Sequence, residues 1–296
     1  MRRRSVTLVA LAVLVACSDS PSGAPATSAV TTTTLATTTT TMPTTTTTTT
    51  MPSTTIATTT TLAPTDDCGL VASQVEAAHP GTVQVLVVLA ADVTSQVATV
   101  QMADRTDTGW VCSPPMEARV GRNGVRPLLD RRSGDGTTPA GVFPLGVMTA
   151  WDGQVFSFFG NQPDPGVSAG AYRAVREGDC FGATPNHPDY GHLVQRAAGQ
   201  CPGPDDEYLP KFVKSYEHAA LIGANMEPNV SGDAPGEIPY AAAIFLHRFS
   251  YDDAGRAKPT AGCVSLAHDD LVATLTWMRP GVVFAIGTND WLLANA

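Results

Sequence analysis

Residues 244–271 read IFLHRFSYDDAGRAKPTAGCVSLAHDDL. An apolar stretch carrying His247, a polar loop, a short stretch opened by Cys263 and an acidic segment follow one another here. The order reads as strand, loop, a short stretch after the turn at Cys263, and helix. Tyr240 to Phe249 is an apolar run long enough for a central strand, with His247 near its end. Ser250 to Gly262 is a loop in which Gly255 and Pro259 mark turns. Cys263 to Leu266 is short and partly apolar. A helix is expected from His268 to Met278: Asp269 and Asp270 suit its positive N-terminal end, Leu271, Leu275 and Met278 form one face, and Pro280-Gly281 stops it. A strand is expected over Val282 to Ile286.

His247 and Cys263 lie sixteen residues apart across this loop. A thiol is mostly protonated at neutral pH, and a nearby imidazole can hold it as the thiolate. Such a pair supports acyl transfer, in which the sulfur attacks a carbonyl and the histidine returns the proton to the leaving amine. Gly262 permits close backbone approach, so the amides around Gly262 and Cys263 are candidate oxyanion donors. The bland alternative is a buried, inert cysteine.

Outward from this segment the chain is expected to be mainly β with a few short helices. Val83 to Leu89 fits a buried strand, Val97 to Met102 alternates in polarity, Asp104 to Gly109 reads as a turn, and Trp110-Val111-Cys112 as the next strand. SGDGTTPAGVFPLG, residues 133–146, combines a Gly-rich turn with a strand entered at Val142-Phe143. Residues 160–210 are loop-rich. Tyr208 to Ile222 is expected to carry a helix, with Phe212, Tyr216, Ala219 and Ala220 at 3–4 spacing. His218 reads as a helix-surface or packed histidine, and Trp151 and Tyr240 as core or groove wall.

The N-terminus reads as export. Arg2 to Arg4 precede an apolar run, Val6 to Ala16, which is too short to span a membrane. Leu14-Val15-Ala16-Cys17 resembles a bacterial lipobox, which implies that Cys17 carries lipid and becomes the new N-terminus. Residues 18–65 are dominated by threonine, with too little apolar surface to order the backbone, and read as a disordered tether. The globular part is 66–296. The chain carries −9, residues 1–65 contribute three Arg and one Asp, and the remainder is therefore −11. No basic patch stands out, which argues against nucleic acid.

Beyond Cys17, five cysteines remain, and an exported domain would bridge as many as geometry allows. Sequence proximity favours Cys68–Cys112 and Cys180–Cys201, with Cys263 left over, although five cysteines allow many pairings. Cys180, His187, His192 and Cys201 could also be read as a zinc set, but they lack the close cysteine pair such sites use. No metal or cofactor is expected.

The segment around Cys263 resembles the L,D-transpeptidase (YkuD-type) catalytic domain in its IFLH, its spacer, its TAGCVSL and its PGVVFAI strand. TPAGVFPLG (138–146) resembles that family's strand entry, and ARVGRNGV (118–125) precedes it as in actinobacterial members. The resemblance implies a curved β-sheet that presents Cys263 as nucleophile and His247 as base and acid in a groove. It also implies that the backbone carbonyl of Arg248 orients the imidazole and that Thr260 braces the turn. The implied reaction is attack on a peptidoglycan stem peptide after its diamino acid, release of D-alanine, and transfer of the acyl group to a neighbouring stem. Carbapenem-type inhibitors would acylate Cys263. Ala261 and Ser265 stand where many members carry His and Arg, and Arg248 replaces a small residue, which bears on stem-peptide specificity. Hydrolysis of the same acyl-enzyme, as in an L,D-carboxypeptidase, is the nearest alternative. A wall-anchored, non-catalytic binding module and a redox or metal protein are the rivals from other classes.

Overall fold

The computed structural model describes residues 67–231 and 237–296. The Thr-rich tract and Cys17 with its lipobox lie outside the described residues. Helix α1 (Asp67–Ala78) leads into β1 (Gln84–Ala90), β2 (Val97–Thr106), β3 (Gly109–Cys112), β4 (Met116–Arg119), β5 (Val125–Pro127) and β6 (Thr138–Pro144). The middle of the chain holds β7 (Met148–Thr149), β8 (Val155–Phe156), β9 (Phe158–Gly160), β10 (Tyr172–Ala174), β11 (Asp179–Phe181), β12 (Leu193–Gln195) and β13 (Glu207–Tyr208). The last part carries β14 (Ala219–Leu221), β15 (Phe245–Arg248), β16 (Val264–Leu266), α2 (His268–Trp277), β17 (Val283–Thr288) and α3 (Asn289–Asn295).

Twelve strands form one mixed sheet in the order β10-β9-β14-β15-β16-β4-β2-β1-β17-β6-β5, with β3 added to β2. The Val-rich run of β1 has no polar face because both of its faces are covered, as in other doubly covered strands. Leu86 and Val88 pack in the core that contains Leu271 and Leu275 of α2 and Met278 just after it. Val85 and Val87 pack with Cys68, Val71 and Val75 of α1 and Leu292 of α3. A third core is aromatic. Phe156, Phe159, Phe181, Tyr216 and Phe245 meet there mostly edge to face at 5.1–6.2 Å, and Cys263 lies among them.

Three expectations need correction. Tyr208 to Ile222 is not an α-helix. After a 3-10 turn at Leu209–Lys211 the chain runs irregularly into β14, which hydrogen-bonds between β9 and β15. The 3–4 spacing is real, but Phe212 and Tyr216 both serve the aromatic core from a turn, and two neighbouring strands outweigh weak helix propensity. Second, the apolar run from Tyr240 is a strand only over Phe245–Arg248. Ala243 adopts φ 54°, and the side-chain amide of Asn225 donates to the Ile244 carbonyl at 2.6 Å while accepting the Ile244 N–H at 2.8 Å. Third, β2 continues through Asp104 to Thr106, pairing with β3. Helices α1 and α3 lacked a sequence signal strong enough to be read: α1 mixes Gln, Glu and Ser with small apolar residues, and α3 is only seven residues long.

Residues 160–210, expected to be loop, contain β10 to β13, of which β11, β12 and β13 form a small sheet of their own. A buried ion pair organises this region. Arg173 and Asp179, both fully buried, form a bidentate pair; Asp179 also accepts the Trp151 indole N–H at 2.8 Å and the Arg176 backbone N–H at 2.7 Å. His218 is buried, with Nδ1 3.0 Å from the Tyr172 hydroxyl, and is packed rather than on a helix surface. Both expected bridges are present, Cys68–Cys112 and Cys180–Cys201. No helix among the described residues is long and apolar enough to cross a membrane.

Removing one partner of a buried ion pair leaves the other charge short of compensation, at a cost of about 3–5 kcal/mol, toward the lower end here because Asp152 also lies 3.6 Å from Arg173. Asp179→Ala should therefore lose about that much stability in urea unfolding. Asp252→Ala, which removes an ion pair with the exposed Arg256, should leave the midpoint almost unchanged. Equal effects would contradict the role given to the buried pair.

Candidate active site

The site is built by β15 and β16, which run parallel with Leu246 opposite Val264 and His247 opposite Ser265. Side chains alternate between the faces of a sheet. Leu246 and Val264 point into the core beneath α2, whereas Phe245 and Cys263 point into the aromatic core. His247 follows Phe245: its ring meets Tyr216 edge-on at 5.4 Å. Cys263 and His247 therefore share one face of the sheet.

Cys263 belongs to neither disulfide and is 3% exposed. Its Sγ lies 3.2 Å from the Ala243 carbonyl, to which it donates, and accepts the Phe245 N–H at 3.5 Å. The turn before it is fixed by Thr260. The hydroxyl donates to the Cys263 carbonyl at 2.7 Å and accepts the Gly262 N–H at 3.1 Å. The Thr260 backbone is itself held between Val120 and Arg122. Thr138 adds a second hydroxyl to the Cys263 carbonyl at 3.2 Å. Gly262 sits at φ 150°, and a Cβ there would lie 3.0 Å from the Thr137 carbonyl and 3.1 Å from Ile244, so no side chain fits without displacing the turn. The Gly262 amide, read from sequence as an oxyanion candidate, would have to leave Thr260 Oγ1 to reach an oxyanion.

The imidazole is held in one tautomer. Nδ1 donates to the Arg248 carbonyl at 2.6 Å, which leaves the lone pair on Nε2. Nε2 is buried and has no hydrogen-bond partner among the described residues. Burial drives the His247 pKa down to about 4, against the smaller upward pull of the Arg248 hydrogen bond. Proton transfer from an ordinary thiol to such an imidazole is uphill by on the order of 6 kcal/mol. A preformed thiolate–imidazolium pair is therefore not the resting state. Arg248 is in turn clamped by Glu217, whose Oε2 accepts from Nη1 at 2.6 Å and whose Oε1 meets His268.

A small cavity of about 40 Å³ opens on Cys263, with Arg131, Asp205 and Glu207 in its walls. Glu207 accepts the Tyr216 hydroxyl, and burial raises its pKa to about 7. Arg131, Glu207, Glu217 and Asn225 are site or supporting residues that the sequence reading missed. Arg131 stands in a charged, Gly-rich turn that reads as architecture, and Glu217 falls in the segment misread as helix. Of the alternative zinc set, Cys180 and Cys201 are joined to each other, and among the described residues no group of His, Cys, Asp and Glu could hold a metal ion.

Residues 88–286, more than half of the 296-residue chain, match the model of the L,D-transpeptidase catalytic domain, YkuD. The chain belongs to that family. Comparison with curated proteins and with solved structures gives no match.

The two buried titrating groups have opposite effects on stability. An unfolded His247 binds its proton near 6.5 and the folded one near 4, so its contribution is present above this window and is lost as pH falls through it. Glu207 goes from 4.5 unfolded to about 7 folded, so its contribution is lost as pH rises between those values. Relative to wild type, Glu207→Gln should gain stability as pH rises from 4.5 to 7. By the opposite sign, His247→Gln should gain as pH falls from 6.5 to 4. Urea midpoints across pH provide the check, and a profile parallel to wild type in either variant would contradict the assignment for that group.

Proposed function

We propose that this protein is a cysteine acyltransferase of the cell wall, acting on peptidoglycan stem peptides as an L,D-transpeptidase. The observation that carries the reading is the parallel register of β15 and β16. It puts the side chains of Cys263 and His247 on one face of the sheet, with Cys263 lining a cavity. Family membership supplies the substrate class.

In this reading a donor stem peptide places the carbonyl after its diamino acid at Cys263. The thiol proton passes to Nε2 as sulfur attacks, giving a tetrahedral oxyanion. When the oxyanion collapses, the C–N bond to D-alanine breaks and Nε2–H protonates the departing amine, leaving a thioester on Cys263. The side-chain amine of a second stem then gives a proton to Nε2 and attacks the thioester, forming the cross-link and restoring the thiol. The Arg248 carbonyl keeps Nδ1 protonated throughout, so that Nε2 alone accepts and returns the proton. Carbapenem-type inhibitors would acylate the same sulfur.

The N-terminal features fit this setting. We propose that Cys17 is the lipid attachment point at the outer face of the cytoplasmic membrane. Residues 18–65 would then be a tether that reaches the wall, on the order of 40 Å end to end as a flexible coil.

D-alanine release from a tetrapeptide stem tests the assignment. Cys263→Ala should release none, and His247→Ala should acylate roughly 10²–10⁴-fold more slowly with the fold retained. Acylation by His247→Ala at the wild-type rate would remove the imidazole from the mechanism. Addition of an acceptor stem separates transfer to an amine from hydrolysis by water.

A further inference from the structure

In the cavity wall beside Cys263, the mechanism above leaves the buried cation Arg131 without a role. It is 1% exposed, and every part of its guanidinium is held. Nη1 donates to the Tyr240 carbonyl, Nε donates to Thr137 Oγ1 at 3.3 Å, and Nη2 lies 3.5 Å from Asp135. Nη2 is also 3.7 Å from the point where a Cβ on Gly262 would sit, so the cation lies against the turn that carries the nucleophile. It lines the same cavity as Cys263, from a loop distant in sequence.

We propose that Arg131 is the fixed cation that sets the reactivity of Cys263, holding its thiolate electrostatically from behind the Gly262–Cys263 turn. The proposal rests on Cys263 being the nucleophile. A buried positive charge is costly to maintain and is not needed to fill space, and Arg stays protonated where Lys would shift. His247 reaches this face from β15 as a neutral ring and supplies no charge at rest. The other groups facing the pair are acids: Asp135 on the loop of Arg131, Asp205 and Glu207 across the cavity, and the phenol of Tyr190. Burial raises both Asp205 and Glu207, and Glu207, pushed up to about 7, opposes a thiolate less near neutral pH than an ordinary carboxylate. Arg131 thus brings a cation to the cavity wall beside Cys263, and the Arg131–Cys263 attraction is itself favourable. Arg131 is a positioning residue, since it acts on the thiol through its field and through the turn.

The test is the pH dependence of alkylation by iodoacetamide, read at the Cys263 peptide by mass in the full chain. Arg131→Met should raise the midpoint by about one pH unit and slow alkylation at pH 7 about tenfold, the order of shift that a nearby opposite charge exerts. Asp135→Asn, which leaves Arg131 less neutralised, should move the midpoint down. The opposite sign separates a field effect from loosening of the turn, and it remains readable if Arg131→Met folds poorly. The proposal is overturned if Arg131→Met superimposes on wild type, or if Asp135→Asn moves the midpoint up. Alkylation reads the thiol whether or not stem peptides are turned over, so failure of the transpeptidase reading alone would leave these shifts in place.

Discussion

The parallel pairing of β15 with β16 is the constraint on which the site depends. Two parallel neighbours cannot be joined by a tight hairpin, so the chain must leave the sheet after Arg248 and return for Val264. The return is made by the polar loop from Ser250 to Gly262 and ends in the Thr260 turn. A slip of one residue in the register would move Cys263 to the other face of the sheet, away from His247. Thr260 and Thr138, both donating to the Cys263 carbonyl, and the Gly262 contact with Thr137 hold the strand start where the register requires it.

Burial has two consequences for the chemistry. The aromatic core excludes water from His247, keeps the ring neutral and, with the Arg248 carbonyl, fixes the tautomer that can accept a thiol proton. The same burial removes the imidazolium that would otherwise hold a thiolate. A second cation, built into the loop before β6 and held there by Tyr240, Thr137 and Asp135, restores that charge without requiring a proton from the histidine. On the far side of the histidine, Glu217 links Arg248 and His268, so the strand end that supplies the orienting carbonyl is tied to the start of α2.

Much of this was legible in the sequence, and the failures have physical reasons. Helix α2 was readable because its charge bias, apolar face and Pro-Gly stop all agree. The Val-rich β1 was readable because a strand covered on both faces shows a continuous apolar run. The cysteine pairings followed from proximity. The segment from Tyr208 to Ile222 misled because Phe212 and Tyr216 sit at helical spacing while their partners, Phe159 and Phe245, are distant in the chain. The Tyr240 run misled because Asn225 supplies a side-chain substitute for strand hydrogen bonds that no local pattern announces. Cys263 and His247 could be picked out through the resemblance of IFLH and TAGCVSL to family motifs, since their types and spacing alone are a weak signal. Arg131 could not, because its meaning lies in a contact with a turn 131 positions further along the chain.

In the proposed chemistry Cys263 is the group that forms a covalent acyl-enzyme. The most direct measurement is the intact mass and peptide map after incubation with a carbapenem. One inhibitor mass should be added, located on the peptide that carries Cys263, and Cys263→Ala should gain none. An adduct on another residue, or an equal adduct on Cys263→Ala, would contradict it.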